Sequence, residues 1–328
     1  MTPPMRILVI KLSALGDIIL ALPAFAAIRA AHPGAAITLL TTPPFEALAR
    51  ASPYFDQVET DGRPKGLAGW LTLIGRLRRA RYDRVYDLQT NGRTNFIFQA
   101  LRPFPPAWSG VAAGCALPHR NPARMTLHSL ERHAQQLNAA GIWPDAPTRP
   151  LSAPPPDVSW LAAQAPAQPA AAGDDPRPTV LLAPGSSAHR PAKRWPAERF
   201  AALAEDLEAQ GYAVVIIGGA PESDLARTIQ ARAPRARDLT GRTDLAQIAA
   251  LGAGAALAVG NDTGPMHLIA AAGAPAIVLF SGQSDPALSS PRGDVAVLSA
   301  PELADLPVER VAALARSILE RPARGPAS

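Results

Sequence analysis

Asp17 closes the run Lys11-Leu12-Ser13-Ala14-Leu15-Gly16-Asp17, which leaves an apolar stretch at 7–10 and opens into a helical pattern. A carboxylate at that point has two readings. It can stabilise the first turn of the helix, worth about 1 kcal/mol. It can also act as a general base at a strand end. The helix dipole lowers the pKa of such a group, so good basicity needs burial to oppose it. A second run, Pro184-Gly185-Ser186-Ser187-Ala188-His189-Arg190-Pro191-Ala192-Lys193-Arg194-Trp195-Pro196, also follows an apolar stretch. Ser186, Ser187 and nearby backbone amides can hold phosphate oxygens, while Lys193 and Arg194 supply positive charge to a diphosphate. The plainer alternative is a solvated basic loop in which Trp195 packs at a helix start. The third run is Gly260-Asn261-Asp262-Thr263-Gly264-Pro265-Met266-His267. A helix start with Thr263 and Gly264 is a ready anion site, and His267 lies about one turn in. Alone, His267 would read as a satisfied core histidine; its place in this cluster favours a ligand role. Gly218-Gly219-Ala220-Pro221-Glu222 adds Glu222 and Ser223 as partners for a ribose.

Such groups act together only if the fold brings their loops to one place. Short apolar runs at 7–10, 37–40 and 85–88 alternate with helical patterns at 18–31, 67–80 and 95–101. After residue 178 the same alternation resumes. Strands are predicted at 180–183, 213–217, 256–259 and 276–280, with helices at 198–210, 222–232, 245–251 and 265–272. This alternation predicts parallel βαβ units. In a parallel sheet the strand ends share one edge, so the loops at 184–196, 218–222 and 260–267 converge on one pocket. The fold class is therefore α/β, as two Rossmann-like domains facing across a cleft. The Pro- and Ala-rich stretch 153–178, with one helix near 158–164, is the linker. It divides the chain into domains at 1–170 and 171–328. A last helix at 308–319 is expected to pack back on the first domain.

A chain of 328 residues with 48% hydrophobic and 18% charged residues suits two folded domains and excludes a disordered one. The single Cys115 excludes an internal disulfide and a Cys-rich zinc site, which fits a reducing, cytoplasmic setting. No signal peptide is visible. The uncharged run 263–284 is long enough for a membrane span, but Gly264, Pro265, His267, Gly273 and Pro275 break it into a helix and a strand. Residues 1–150 hold 17 Lys and Arg against 9 Asp and Glu, a net of +8; the remainder holds 15 against 18, a net of −3. A basic first half suits an anionic partner. Nucleic acid is disfavoured, because aromatics are only 5% and no stacking motif is present. A nicotinamide oxidoreductase is disfavoured because the first loop has one glycine and no GxGxxG.

The three runs, in this order, resemble the motifs of the heptosyltransferases of lipopolysaccharide core synthesis, glycosyltransferase family 9. The resemblance covers nearly the whole chain. It implies the GT-B fold and transfer of heptose from ADP-heptose to the Kdo–lipid A or heptose inner core, inverting and without metal. Carried onto this sequence, Asp17 is the general base and Lys193 stabilises the leaving diphosphate. Asp262, Thr263, Gly264 and His267 bind the nucleotide and its phosphates or donor sugar. Lys11, Ser13 and Gly16 shape the acceptor loop. Asp87-Leu88-Gln89-Thr90-Asn91-Gly92-Arg93-Thr94 resembles the family's Asp-x-Gln strand end, with Arg93 towards an acceptor phosphate. His128 and Arg132 resemble a further family spacing. The residues themselves support metal independence: no Asp-x-Asp pair stands at a strand end, so Lys193, Arg194 and helix N-termini must neutralise the diphosphate. The expected partners are a nucleotide sugar and a phosphorylated lipid A or core acceptor. No cofactor is expected, and the protein is expected to be a monomer with peripheral contact at the inner membrane. The alternatives are a GT-B enzyme using another nucleotide sugar, and a nucleotide-sugar-binding protein without catalysis.

Overall fold

In a parallel sheet both faces are covered, so strands read as near-continuous apolar runs. The computed structural model describes residues 3–143, 154–165, 175–186 and 191–321. Its contacts divide the chain into two units, Met1–Pro156 and Asp157–Ser328.

In the first unit, β1 (Arg6–Ile10), β2 (Ala36–Leu40), β3 (Gln57–Glu59), β4 (Arg84–Asp87), β5 (Ala107–Gly110) and β6 (Leu117–Pro118) form one sheet, ordered β3-β2-β1-β4-β5-β6. Every neighbouring pair is parallel, with Ile10 level with Leu40 on one side and Asp87 on the other. The helices are α1 (Leu15–Ile19), α2 (Leu22–Ala31), α3 (Glu46–Ala51), α4 (Gly66–Ala80), α5 (Gly92–Ala100) and α6 (Ser129–Ala139). Asn91 and Thr94 form a reciprocal capping box at the start of α5. His128 caps α6, its ring nitrogen accepting from the Leu130 amide at 3.3 Å. Ile10, Val85, Trp108 and Phe98 are buried together in the core on the α4–α5 side of this sheet.

The second unit repeats the plan. β7 (Thr179–Ala183), β8 (Ala213–Ile216), β9 (Arg237–Asp238), β10 (Leu257–Asn261), β11 (Ala276–Ser281) and β12 (Val295–Ala300) are ordered β12-β11-β10-β7-β8-β9, all parallel. The helices are α7 (Ser159–Ala162), α8 (Ala197–Ala209), α9 (Ser223–Gln230), α10 (Leu245–Gly254), α11 (Gly264–Ala271), α12 (Pro286–Ser289) and α13 (Val308–Leu319). The helix predicted near 158–164 is the short α7. It packs on α10, so it belongs with the second unit, and the contact boundary falls earlier than composition places it. The predicted last helix is α13, and it packs on α8. Its Val311, Ala312, Ala315 and Ile318 enter the second unit's core.

The predicted helix 18–31 is two helices, because α1 ends at Ile19 and the chain turns at Leu20 and Ala21 before Pro23 sits in the first turn of α2. The uncharged run 263–284 is α11 followed by β11, and no helix among the described residues is long and apolar enough to cross a membrane. Five strands have no counterpart in the apolar runs: β3, β5, β6, β9 and β12. Several are only two or three residues long and lie at or near a sheet edge, where periodicity is too brief to register.

Candidate functional site

Each sheet has one point where the chain changes direction across it, and α/β sheets place ligands outside the carboxyl ends at that point. In the first unit it lies between β1 and β4, and in the second between β7 and β10. The loops leaving those four strands are the predicted Lys11 and Asp87 runs, then the Pro184 and Asp262 runs.

The first-unit loops enclose a pocket of about 170 Å³. Lys11, Ser13, Asp17, Gln89, Arg124 and Arg132 are on its wall. Asp17 sits in the first turn of α1. Ser13 Oγ donates to its carboxylate at a long 3.5 Å, and the Gln89 side-chain amide donates to Ser13 Oγ at 3.0 Å. Gln89 also accepts from the Leu12 amide at 2.8 Å, so β4's loop sets the geometry of β1's loop. Gly16 is buried in the same turn.

Lys11 is buried, and burial depresses its ammonium below the ordinary lysine value. Asp17 and Asp87 pull it back up, while Arg132 pushes it further down. Its Nζ donates to the Leu88 carbonyl at 3.4 Å. Arg124 donates to Thr90 Oγ1 at 2.7 Å, and its Nε has no hydrogen-bond partner. Thr90 holds φ at +45°, unusual for a β-branched residue, and this turn carries the hydroxyl that anchors Arg124. Arg132 is tied to Ser129 Oγ at 2.7 Å. A carboxylate among three cations, one with an unused donor, suits an anionic ligand whose hydroxyl meets Asp17. Arg93, by contrast, is exposed on the first turn of α5 and is absent from the residues lining the pocket. Arg124 and Gln136 gave no site signal in the sequence, and Thr90 entered only as part of the 87–94 run; a lone arginine in an irregular loop cannot be told from a solvated one.

Asp87 lies behind this wall, fully buried. Its Oδ1 accepts from the Gln89 and Thr90 amides at 3.1 and 2.9 Å, shaping the turn. Burial raises its carboxyl from 3.8 to about 6, against the opposing pull of those hydrogen bonds and of Lys11. The folded carboxyl thus keeps its proton to about pH 6, while the unfolded one releases it near 3.8. The folded state binds more protons across that interval. The group's contribution to stability is fully present below the lower value and is lost as pH rises through the upper one. The loss is roughly 3 kcal/mol, taking about 1.4 kcal/mol per pKa unit. The urea midpoint of the native protein should therefore fall relative to Asp87→Asn between about pH 4 and pH 6, then run parallel to it. Curves parallel across the whole range would refute the assignment.

In the second unit, Asn261 at the end of β10 is fully buried and joins both switch-point loops. Its side chain donates to the Pro184 carbonyl at 2.8 Å and the Gly185 carbonyl at 3.3 Å, and accepts from the Trp195 amide at 3.0 Å. Trp195 is buried and donates through its indole to the Leu306 carbonyl at 2.9 Å, so it anchors the loop. The loop therefore holds Lys193 against Asp262 at 2.7 Å, both side chains little exposed. Ser284 Oγ donates to the same Asp262 oxygen at 2.7 Å. Arg194 turns to Ser186, reaching its hydroxyl at 3.1 Å and its carbonyl at 3.2 Å. Thr263 is the N-cap residue of α11, Gly264 begins the helix, and His267 is buried one turn in.

Glu222 accepts from the Gly219 amide at 2.7 Å, which fixes its carboxylate over the β8 loop. A Cβ on Gly185 would lie 2.7 Å from Glu222 Cγ, so the glycine makes room for that side chain. Ser187, His189 and Arg190 lie outside the described residues. Asn261→Leu should strand three backbone groups without their partner. At about 1–3 kcal/mol for each buried group left unsatisfied, the loss is roughly 3 kcal/mol or more. Chemical denaturation reads it directly, and a midpoint within about 0.5 kcal/mol of the native protein would show that the loops hold without it.

No group of three or more His, Cys, Asp or Glu placed to hold a metal occurs among the described residues. A family model for glycosyltransferase family 9 (heptosyltransferase) matches residues 70–310. Lipopolysaccharide heptosyltransferase 2 of Escherichia coli K12 is 28% identical over 314 residues, covering 88% of this chain and 85% of that one. Two solved structures share the fold. Escherichia coli ADP-heptose LPS heptosyltransferase II has a TM-score of 0.77 at 24% identity, covering 96% of this chain and 98% of that one. An Escherichia coli heptosyltransferase with ADP has a TM-score of 0.74 at 22% identity, covering 96% and 100%. With two parallel six-stranded sheets of the GT-B kind and a family match across most of its length, the chain belongs to glycosyltransferase family 9 and is a glycosyltransferase.

Proposed function

We propose that this protein transfers heptose from ADP-heptose to the inner core of lipopolysaccharide, Kdo–lipid A or a heptose already on it, with inversion and without a metal ion. The observation that carries the reading is Asp17 in a pocket with Lys11, Arg124 and Arg132. The acceptor hydroxyl donates its proton to Asp17 as its oxygen forms a bond to the anomeric carbon. The bond from that carbon to the diphosphate breaks on the opposite face, and its electron pair leaves with ADP. The three cations hold an acidic group of the acceptor, phosphate or carboxylate, so that the hydroxyl meets the base.

At the β7–β10 switch point, Lys193 takes the diphosphate. An ammonium has three donors, so Asp262 can orient Nζ through one while the others meet phosphate oxygens. The N-terminus of α11 at Thr263 and Gly264 adds partial positive charge. Arg194, held by Ser186, adds a full one, and Ser187 is a further candidate for the phosphates. Glu222 meets the ribose, and His267 lies at the nucleotide or donor sugar. The E. coli K12 relative named heptosyltransferase 2 supports the same sugar and the same class of acceptor.

Purified protein given an inner-core acceptor and ADP-heptose should release ADP and yield a heptosylated product, with full activity in excess EDTA. UDP- and GDP-sugars should turn over at least about 10²-fold less efficiently, because base recognition would leave buried polar groups unpaired. Turnover of another nucleotide sugar in preference would replace the donor. Activity lost to EDTA and restored by magnesium would replace the metal-free mechanism.

A further inference from the structure

Of the six large hydrophobic side chains exposed among the described residues, five lie in the first unit. Four of these are on α4, α5 and the turn that follows: Leu67 at 76% exposed, Leu71 at 65%, Phe96 at 52% and Phe104 at 90%. Leu67 and Leu71 are four residues apart and so share one helix face. Trp70 on α4 meets Phe96 on α5 edge to face, ring centroids 4.9 Å apart, which joins the two helices into one surface. Arg78 crosses the same joint and donates to the Ala100 carbonyl at 2.6 Å. With Arg81, Arg102 and Phe104 it also lines a groove of about 590 Å³ whose floor includes Leu77 and Val85.

The charge around this surface is predominantly positive. Residues 62–82 contain six Lys and Arg and no Asp or Glu, and residues 88–106 contain two and none. Arg76 is ion-paired with Glu59 and Asp61 on the far side of α4, whereas Arg78, Arg79, Arg81 and Arg102 are exposed. Exposed leucine and phenylalanine beside an excess of cations match a medium that is apolar inside and anionic at its edge; Asp83, the one acid lining the groove, accepts from the Arg6 amide at 2.7 Å.

We propose that the α4–α5 face docks on the surface of an anionic phospholipid bilayer. Leu67, Leu71, Phe96 and Phe104 enter the boundary between head groups and acyl chains. The arginines pair with lipid phosphates, whose geometry a guanidinium matches through two hydrogen bonds. None of those four apolar side chains lines the Asp17 pocket, so this surface is distinct from the proposed acceptor site. The proposal stands without the transfer reaction, and its test uses neither nucleotide sugar nor acceptor. A failure here therefore leaves the reaction untouched.

The test is co-sedimentation of the full chain with vesicles of phosphatidylglycerol and phosphatidylethanolamine, against vesicles of phosphatidylcholine alone. Partitioning to the anionic vesicles should be at least about tenfold stronger and should weaken as salt rises. Leu67→Ser with Leu71→Ser, and Arg78→Glu with Arg79→Glu, should each reduce it at least about fivefold. Phe104→Ser, outside any helix, should reduce it in the same direction. A native circular dichroism spectrum and urea midpoint confirm that each variant is folded. Equal partitioning to both vesicle types would overturn the proposal. So would binding to anionic vesicles that survives all the apolar substitutions, which would make the surface a general polyanion site. Self-association that disappears in the leucine variant, with no vesicle binding by the native chain, would assign the face to a second copy instead.

Discussion

Asp17→Asn is expected to lower kcat for sugar transfer by about 10²–10⁴-fold, the usual contribution of a positioned general base. The donor KM should stay within about twofold, since the proposed donor groups all belong to the second unit. Asparagine matches the size of aspartate and can still accept from Ser13 Oγ, so the Gln89–Ser13 arrangement that positions the group should persist. What it cannot do is take the proton. The comparison isolates chemistry from folding, because residue 17 is only partly buried. Initial rates of ADP release with the native and variant proteins give the ratio. A variant within about tenfold of the native rate would reject Asp17 as base. His133 lines the same pocket, but burial, reinforced by Lys11 and Arg132, holds that imidazole well below its ordinary pKa, so it is neutral and a poor substitute for the base.

Lys193→Ala should lower kcat by about 10²–10³-fold, in line with removal of one group that stabilises charge developing in a transition state. The effect on kcat should exceed that on donor affinity, because the negative charge on the diphosphate grows as the anomeric bond breaks. A second effect accompanies it. Asp262 loses its 2.7 Å partner while its side chain stays only 12% exposed. Removing one member of such a pair costs roughly 3–5 kcal/mol when burial is nearly complete. Ser284 Oγ remains on Asp262 and offsets part of this. The double variant Lys193→Ala with Asp262→Asn separates the two consequences. It should recover most of the lost stability in a urea melt and little of the lost kcat. If the double variant regains the native rate, Lys193 serves only to neutralise Asp262.

Much of this was legible in the residues because local rules and global fold agree. β1, β2, β7, β8 and β11 are apolar runs, as central parallel strands must be, whereas β4 keeps only Val85 and Tyr86 between charged ends. The longer helices α4, α8 and α13 carry a 3.6-residue period. The runs at Lys11, Pro184 and Asp262 follow central strands, so the βαβ rule alone put them at the ligand edge of their sheets. The edge strands escaped notice for the complementary reason. Gln57–Glu59 and Arg237–Asp238 are short and polar, and their neighbours rather than their own sequence make them strands.

The amino-acid sequence by itself determined the class of fold, the family and the loops that carry chemistry, because strand and helix periods and motif order are one-dimensional properties. Only the tertiary structure decided which side chains stand beside Asp17. Arg124 and Arg132 reach the pocket from more than a hundred residues away, while Arg93, nearer in sequence to the pocket's Gln89 and Thr90, remains outside. It also decided that Asn261 ties two loops together and that Lys193 rests on Asp262. The reason is physical. A buried polar side chain is selected by the partners that satisfy it, and those partners are set by sheet order and loop path. Neither can be read from spacing along the chain.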